Sequence, residues 1–290
     1  MKRILWAGLF QIFWSCTVAQ AALPVVNGVA MTPADLHLLA ALQNREVATA
    51  EAELADEWIN RELIRGFLAK QKIVPDAEDL AWQRSQLNEL VQRRGKDPAL
   101  FWQELKIAPD RIDRELSLSL AWLNYVKATI TPEQIRAHFD QHRLEFDGTR
   151  VRARQIFFKR QAGETDADLA SRVQKMAEIR QQIQSQALDF PTAAQRFSEA
   201  PSKKDGGDVG WFAARGRMPY EVAKVALPLN VGELSEPILS PFGVHLVLVE
   251  EKEAGLLSPE DARRAILDQL STQLWEQTVQ QQRQTAKIQR

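Results

Sequence analysis

Phe197-Ser198-Glu199-Ala200-Pro201-Ser202-Lys203-Lys204-Asp205-Gly206-Gly207-Asp208-Val209-Gly210-Trp211-Phe212 carries the chain from a helix into a strand. Gly206 and Gly207 suit a tight backbone turn, and Asp208 is placed to fix that turn with its carboxylate. Upstream, Phe190 to Phe197 reads as a short helix; downstream, Asp208 to Phe212 reads as a strand. Arg150 to Lys159 sets Val151, Ile156, Phe157 and Phe158 among charged neighbours, which also suits a strand. Asp166 to Leu188 places Leu169, Val173, Met176, Ile179 and Ile183 along one side of a long amphipathic helix. With a helix over Pro219 to Ala226 and a strand over Gly243 to Val249, the order is strand, helix, helix, strand, helix, strand. That order is the signature of an α+β unit of about 100 residues, here 150–253.

Glycine separates this unit from what precedes it. Of 13 Gly, nine lie between Gly148 and Gly255, while Ala22 to Asp147 holds only Gly28, Gly66 and Gly95. Glycine is disfavoured inside helices, so residues 22–147 read as a helical domain. Thr32-Pro33-Ala34-Asp35 and Thr131-Pro132-Glu133-Gln134 are helix starts, with a capping hydroxyl, a proline at the first position and an acid or amide at the third. Between them Trp58, Ile59, Leu63, Phe67 and Leu68, then Leu80, Leu87, Leu90 and Val91, then Ile112, Leu116, Leu120 and Leu123, recur at helical spacing. Pro75, Pro98 and Pro109 fall where one helix ends and another begins, which predicts a bundle of four or five helices. Trp82, Trp102 and Trp122 are evenly spaced, but their flanks do not match, so the spacing reads as chance plus core packing and not as a repeat. Ser258-Pro259-Glu260-Asp261 opens a closing helix over 258–290. Its stripe of Ile266, Leu270 and Leu274 is expected to pack on the N-terminal helices, which would make the α+β unit an insert. The Gln-rich stretch Gln280 to Arg290 has little apolar periodicity and is expected to fray.

The chain has 290 residues, 37 Lys+Arg against 38 Asp+Glu, 45% hydrophobic residues and one Cys. This is ample for packed domains and excludes a collagen, a disordered chain and a multi-span membrane protein. A net charge of -1 gives no footprint for a nucleic-acid partner. Met1-Lys2-Arg3, the apolar run Ile4 to Trp14 and the small-x-small triplet Ala19-Gln20-Ala21 read as an export signal over residues 1–21. The run is too short and too interrupted, by Gln11, for a membrane anchor. Cys16 as a lipidation site is disfavoured by the bulky Phe13-Trp14-Ser15 before it. Cleavage after Ala21 leaves a Cys-free protein, slightly more acidic for the loss of Lys2 and Arg3, suited to an oxidising, most simply periplasmic, compartment.

The opening segment resembles the central motif of parvulin (PpiC-type) peptidyl-prolyl cis-trans isomerases. So do Val231-Gly232-Glu233-Leu234-Ser235-Glu236-Pro237 and Phe242-Gly243-Val244-His245-Leu246, in the family's order. Signal, helical region, parvulin-like unit and closing helix together resemble the exported foldases of the SurA and PrsA type, with Val25-Val26-Asn27-Gly28 as a further match. The resemblance implies a small antiparallel sheet flanked by helices, isomerase activity without cofactor or metal, and unfolded or nascent exported polypeptides containing X-Pro bonds as partners. It puts Val209, Phe212, Met218 and Tyr220 at the proline pocket and His245 at one of the site histidines. The Tyr220 hydroxyl, absent from the usual Phe, becomes a candidate bond to substrate.

Two positions depart from that pattern. Gln155 stands where the first strand usually carries a histidine, and Ala200 stands where Cys or Asp is common. Gln155 keeps hydrogen-bonding capacity and joins His245 as a candidate catalytic residue; Ala200 has none. The barrier to rotation, roughly 18–20 kcal/mol, comes from amide resonance and needs no nucleophile, so these losses predict a weak isomerase. The other reading is a holdase chaperone whose parvulin unit binds peptide with little turnover. His138 and His142 sit one helical turn apart but lack the Glu of a zinc-protease motif, and read as a solvated helix face.

Overall fold

The computed structural model describes residues 23–290, so the export-signal reading of residues 1–21 and Cys16 lie outside the described residues. The chain divides into two compact units, one formed by residues up to Lys127 with Leu274–Arg290, the other by Ala128–Gln273. Among the described residues no helix is long and apolar enough to cross a membrane.

The first unit starts with a two-residue hairpin, β1 (Val25–Val26) and β2 (Val29–Ala30), turned through Asn27 and Gly28 at positive φ. Five helices follow: α1 (Pro33–Gln43), α2 (Val47–Lys70), α3 (Ala77–Arg93), α4 (Pro98–Glu104) and α5 (Pro109–Thr129). Thr32 and Asp35 cap each other at the start of α1. Asp76 and Asp97 accept backbone N–H groups at the starts of α3 and α4, which satisfies donors that a helix N-terminus leaves unpaired. Trp58, Ile59, Leu63 and Ile64 of α2 are almost wholly buried. Beside them Arg65 bridges Glu62 (2.9 Å) and Glu115 (2.6 Å), tying α2 to α5 by buried carboxylates that keep their partners. Trp102 and Trp122 are buried, whereas Trp82 is 59% exposed, so the even spacing covers two environments and the core-packing reading fails for Trp82.

The second unit begins with α6 (Pro132–Gln141), opened by the Thr131–Gln134 capping box, and α7 (Arg143–Phe146). Strand β3 (Arg150–Lys159) has the bounds that its side-chain alternation predicts. It is followed by α8 (Asp166–Gln184), α9 (Phe190–Phe197), β4 (Asp208–Ala213) and α10 (Tyr220–Ala226). β5 (Ile238–Ser240) and β6 (Gly243–Glu253) complete an antiparallel sheet of order β4-β3-β6-β5. The second unit is therefore α+β, with the sheet in the centre and helices on its two faces.

Side chains on a strand alternate between faces. Even-numbered Ile156 and Phe158 of β3 and Val244 and Leu246 of β6 pack with Met176 and Ile179 of α8 and with α9. Odd-numbered Val151 and Ala153 of β3, with Val247 and Val249 of β6, pack with Val222 and Ala223 of α10. That second cover ends before the strands do. The same face continues through Gln155, Phe157 and Lys159 on β3 and through His245 on β6, opposite Phe157 in the register.

Helix α11 (Arg263–Arg283) contains the unit boundary. Its Ile266 packs with Ile135 and Phe139 of α6 in the second unit. Past the boundary, Trp275 meets Trp122 edge to face at 4.9 Å and Arg283 donates to Asn60 Oδ1 at 2.6 Å. The Gln-rich end does not fray as its composition predicts. It is helical to Arg283, then adds β7 (Ile288–Gln289) antiparallel to β1, because partners far away in sequence supply what its own periodicity lacks.

Candidate active site

A cleft of about 450 Å³ opens where α10 stops covering the sheet, with Gln155, Phe157, Ala200, Met218, Phe242 and His245 among its walls. The opening motif builds its edge. Ser198, 2% exposed, accepts the N–H of Phe157 (3.1 Å) and of Ala200 (3.2 Å), clamping the loop after α9 to β3. Gly207 accepts the N–H of Gln155 at 2.8 Å. Asp208 accepts the N–H of Gly210 (2.7 Å) and pairs with Arg152 (2.9 Å), whose guanidinium holds the Asp208 carboxyl below the usual carboxylate range.

His245 is 4% exposed and stands between two polar partners. Its Nδ1 lies 3.2 Å from Gln155 Oε1 and its Nε2 lies 2.8 Å from Ser240 Oγ. With the Gln155 amide oxygen towards the ring, Nδ1–H donates to Gln155 and Nε2 accepts the Ser240 hydroxyl proton, the assignment of a neutral imidazole. Phe157 stacks on the ring at 4.5 Å between centroids. Burial favours the neutral form and pushes the His245 pKa down to about 4. The Gln155 amide nitrogen has no partner among the described residues and remains a donor for a bound group.

Of the six residues singled out in the sequence, Gln155, His245 and Met218 line one cleft. Val209 and Phe212, 6% and 4% exposed, do not line it; they belong to the apolar cluster shared with Met218. The reason is the cover: α10 lies on that part of the sheet, so these side chains meet protein and support Met218 from within. Tyr220 is 41% exposed and lies outside the cleft walls. Its hydroxyl, expected as a bond to substrate, is instead engaged with Glu145, and partial burial together with that bond pushes its pKa up to about 12. Ser240 and Ser198 escaped sequence reading. Ser240 reaches His245 only through the β5–β6 hairpin, for which the tight Pro241-Phe242-Gly243 link was the available signal. The His138 and His142 rings meet at 4.5 Å in a tilted arrangement, and His138 is 8% exposed, so the solvated-face reading fails for it; among the described residues no group of three or more His, Cys, Asp or Glu is placed to hold a metal ion.

The neutral histidine has a consequence for stability. Its folded pKa of about 4 lies below the usual His value, so the unfolded chain binds the extra proton between roughly pH 6.5 and 4. Acidification through that window therefore favours unfolding, by on the order of 3 kcal/mol from this group when complete. Denaturant unfolding at several pH values should show a shallower loss between pH 6.5 and 4 for His245→Gln than for the unaltered protein; parallel curves would contradict the assignment.

Residues 156–251 match the rotamase family, described as the PPIC-type PPIASE domain. The second unit thus carries a parvulin-type rotamase domain, with the cleft on one face of its sheet. The chain is 28% identical to Chaperone SurA of Chromobacterium violaceum over 70% of its own length and 52% of that protein's. It is 25% identical to Foldase protein PrsA 4 of Bacillus cereus over 71% of this chain and 70% of that one. The chain spans about half the length of the SurA relative. Among solved structures, PrsA from Bacillus anthracis aligns over 78% of this chain and 94% of its own, with 18% identity and a TM-score of 0.49.

Proposed function

We propose that the protein is an exported peptidyl-prolyl cis-trans isomerase that assists the folding of extracytoplasmic polypeptides. The observation that carries this reading is the buried, uncharged His245 held between Gln155 and Ser240 at one end of an apolar cleft. Met218, Phe157 and Phe242 offer the prolyl ring an apolar seat. As the X-Pro bond twists, its nitrogen regains a lone pair and its carbonyl loses conjugation. The unpartnered Gln155 side-chain Nε2–H then has a twisted amide to bind, and the Ser240–His245 pair holds Gln155 in place. The site holds no charged group that must gain or lose a proton near neutrality, which fits a reaction without acid or base. Ala200 brings no polar group to the wall, which supports a slow enzyme. Export is read from the basic start and apolar run of residues 1–21.

A protease-coupled assay of the full chain with proline tetrapeptides tests the reading. A cis-to-trans rate rising in proportion to protein concentration is the expected result. Peptide binding without acceleration would support a holdase in place of the enzyme.

A further inference from the structure

Three arginines stand at alternate positions along β3, and the last differs from the others in what it holds. Arg150 and Arg152 meet carboxylates, Glu253 for the first, Asp208 and Glu251 for the second. Arg154 pairs with Glu250 of β6 and also sends Nη1 to two main-chain carbonyls of the loop ahead of β4, Asp205 at 3.0 Å and Gly206 at 3.1 Å. The next carbonyl along that loop, Gly207, takes the backbone N–H of Gln155. Residues 154 and 155 thus occupy the carbonyls of 205, 206 and 207 in succession, one through its side chain and the other through its backbone. The guanidinium lies directly against the glycine turn: a Cβ at Gly206 would stand 2.9 Å from Arg154 Nη1.

The register shows why Gln155 depends on this grip. Ala153 pairs with Gly210 and Arg154 with Asp208, so Val209 is an extra residue bulged from the ladder. The β3–β4 ladder ends at that bulge, and beyond it Gln155 is tied towards the loop by its bond to Gly207, a residue held at φ +86. Through Glu250, Arg154 joins the same loop to β6, the strand that carries His245. A planar guanidinium serves the carboxylate and both carbonyls from one fixed fork, which a lysine ammonium does not reproduce. We propose that Arg154 is a positioning residue of the cleft: it locks the 205–207 loop to β3 and β6 and thereby holds Gln155 at its distance from His245. The kinetic consequence rests on the isomerase reading; the lock itself is a property of the folded chain.

Hydrogen exchange followed by NMR on the full chain tests the lock without reference to turnover. Arg154→Gln should speed exchange of the Gln155 and Gly207 amides about tenfold while the Ile179 amide of α8 keeps its rate. Arg154→Lys, which keeps the charge beside Glu250, should move the same two amides in the same direction and gives the answer if the Gln variant fails to fold. Arg150→Gln should leave both amides unchanged. In tetrapeptide kinetics, Arg154→Gln should lower kcat about fivefold with peptide Kd changed less than about twofold, and should not lower the kcat of Gln155→Ala any further, because a residue that acts through Gln155 then has nothing to act on. Unchanged exchange at Gln155, or acceleration shared equally by α8, would overturn the lock. The same fold loss in both backgrounds would overturn the route through Gln155. Selective acceleration in a chain that turns over no peptide keeps the lock and removes the isomerase reading, and turnover with Gln155 exchange untouched by either Arg154 variant does the reverse.

Discussion

His245→Ala lowers kcat/KM for prolyl isomerisation by about 100-fold, against about fivefold for Gln155→Ala. The difference follows from what each side chain holds. His245 touches Gln155, Ser240 and the Phe157 ring, so its removal frees the donor aimed at the amide, leaves Ser240 without its acceptor and takes away the stacking partner of Phe157. About 100-fold corresponds to about 2.7 kcal/mol of lost transition-state stabilisation, the scale of losing a preorganised donor together with its support. Gln155→Ala removes that donor but leaves His245, Ser240 and Phe157 in place, and the His245 Nδ1–H, freed of its acceptor, faces the vacated space as a replacement donor on a strand whose backbone pairing stays intact. Tetrapeptide kinetics on the two variants, with circular dichroism to confirm that β6 is retained, decide the matter. Equal, negligible losses would remove the proposed site.

Gly207→Ala destabilises the second unit by about 3 kcal/mol and abolishes turnover even under conditions where the chain stays folded. Gly207 has φ +86, a conformation costly for alanine. A Cβ there would lie 2.5 Å from the Gln155 carbonyl oxygen and 3.1 Å from Ala194 Cβ. Neither neighbour yields easily, since one is sheet backbone and the other lies in a fully buried helix side chain. The strand must therefore move away from the loop, breaking the 2.8 Å bond from Gln155 N–H to the Gly207 carbonyl and displacing Gln155 from His245. Chemical unfolding reads the stability loss and the tetrapeptide assay reads the activity. A variant as stable and as active as the parent would contradict this account of why the motif carries glycine there.

What could be read in the sequence depended on whether a residue's partner was near it along the chain. β3 was legible to its ends, because alternating apolar and charged side chains announce a half-buried strand without knowledge of its neighbours. Helix starts were legible at Thr32 and Thr131, where cap and counter-cap lie three residues apart. β5 was not: Ile238-Leu239-Ser240 becomes a strand only by pairing with β6, and with it Ser240 comes to His245. The chain end was misread for the same reason, since Arg290 pairs with Asp56 and Ile288 with Val26, both far upstream.

Val209 and Phe212 show a different limit. An apolar residue on a strand announces that it will be covered, but not whether protein or substrate covers it, and α10 settles that question here. Gln155 and His245 were identified by resemblance as members of one site; their contact, the tautomer it sets and the depressed basicity of the ring are properties of the fold.

The central claim, that this cleft catalyses rotation about an X-Pro bond, is tested most directly by exchange NMR on an end-blocked proline peptide mixed with the full chain. Uncatalysed exchange takes tens of seconds or more. Cis–trans exchange cross-peaks at mixing times of about a second are expected with the unaltered protein, and their disappearance with His245→Ala. A peptide that binds in the cleft, shifting the Phe157 and Met218 resonances, while its isomers exchange no faster than in buffer, would contradict it.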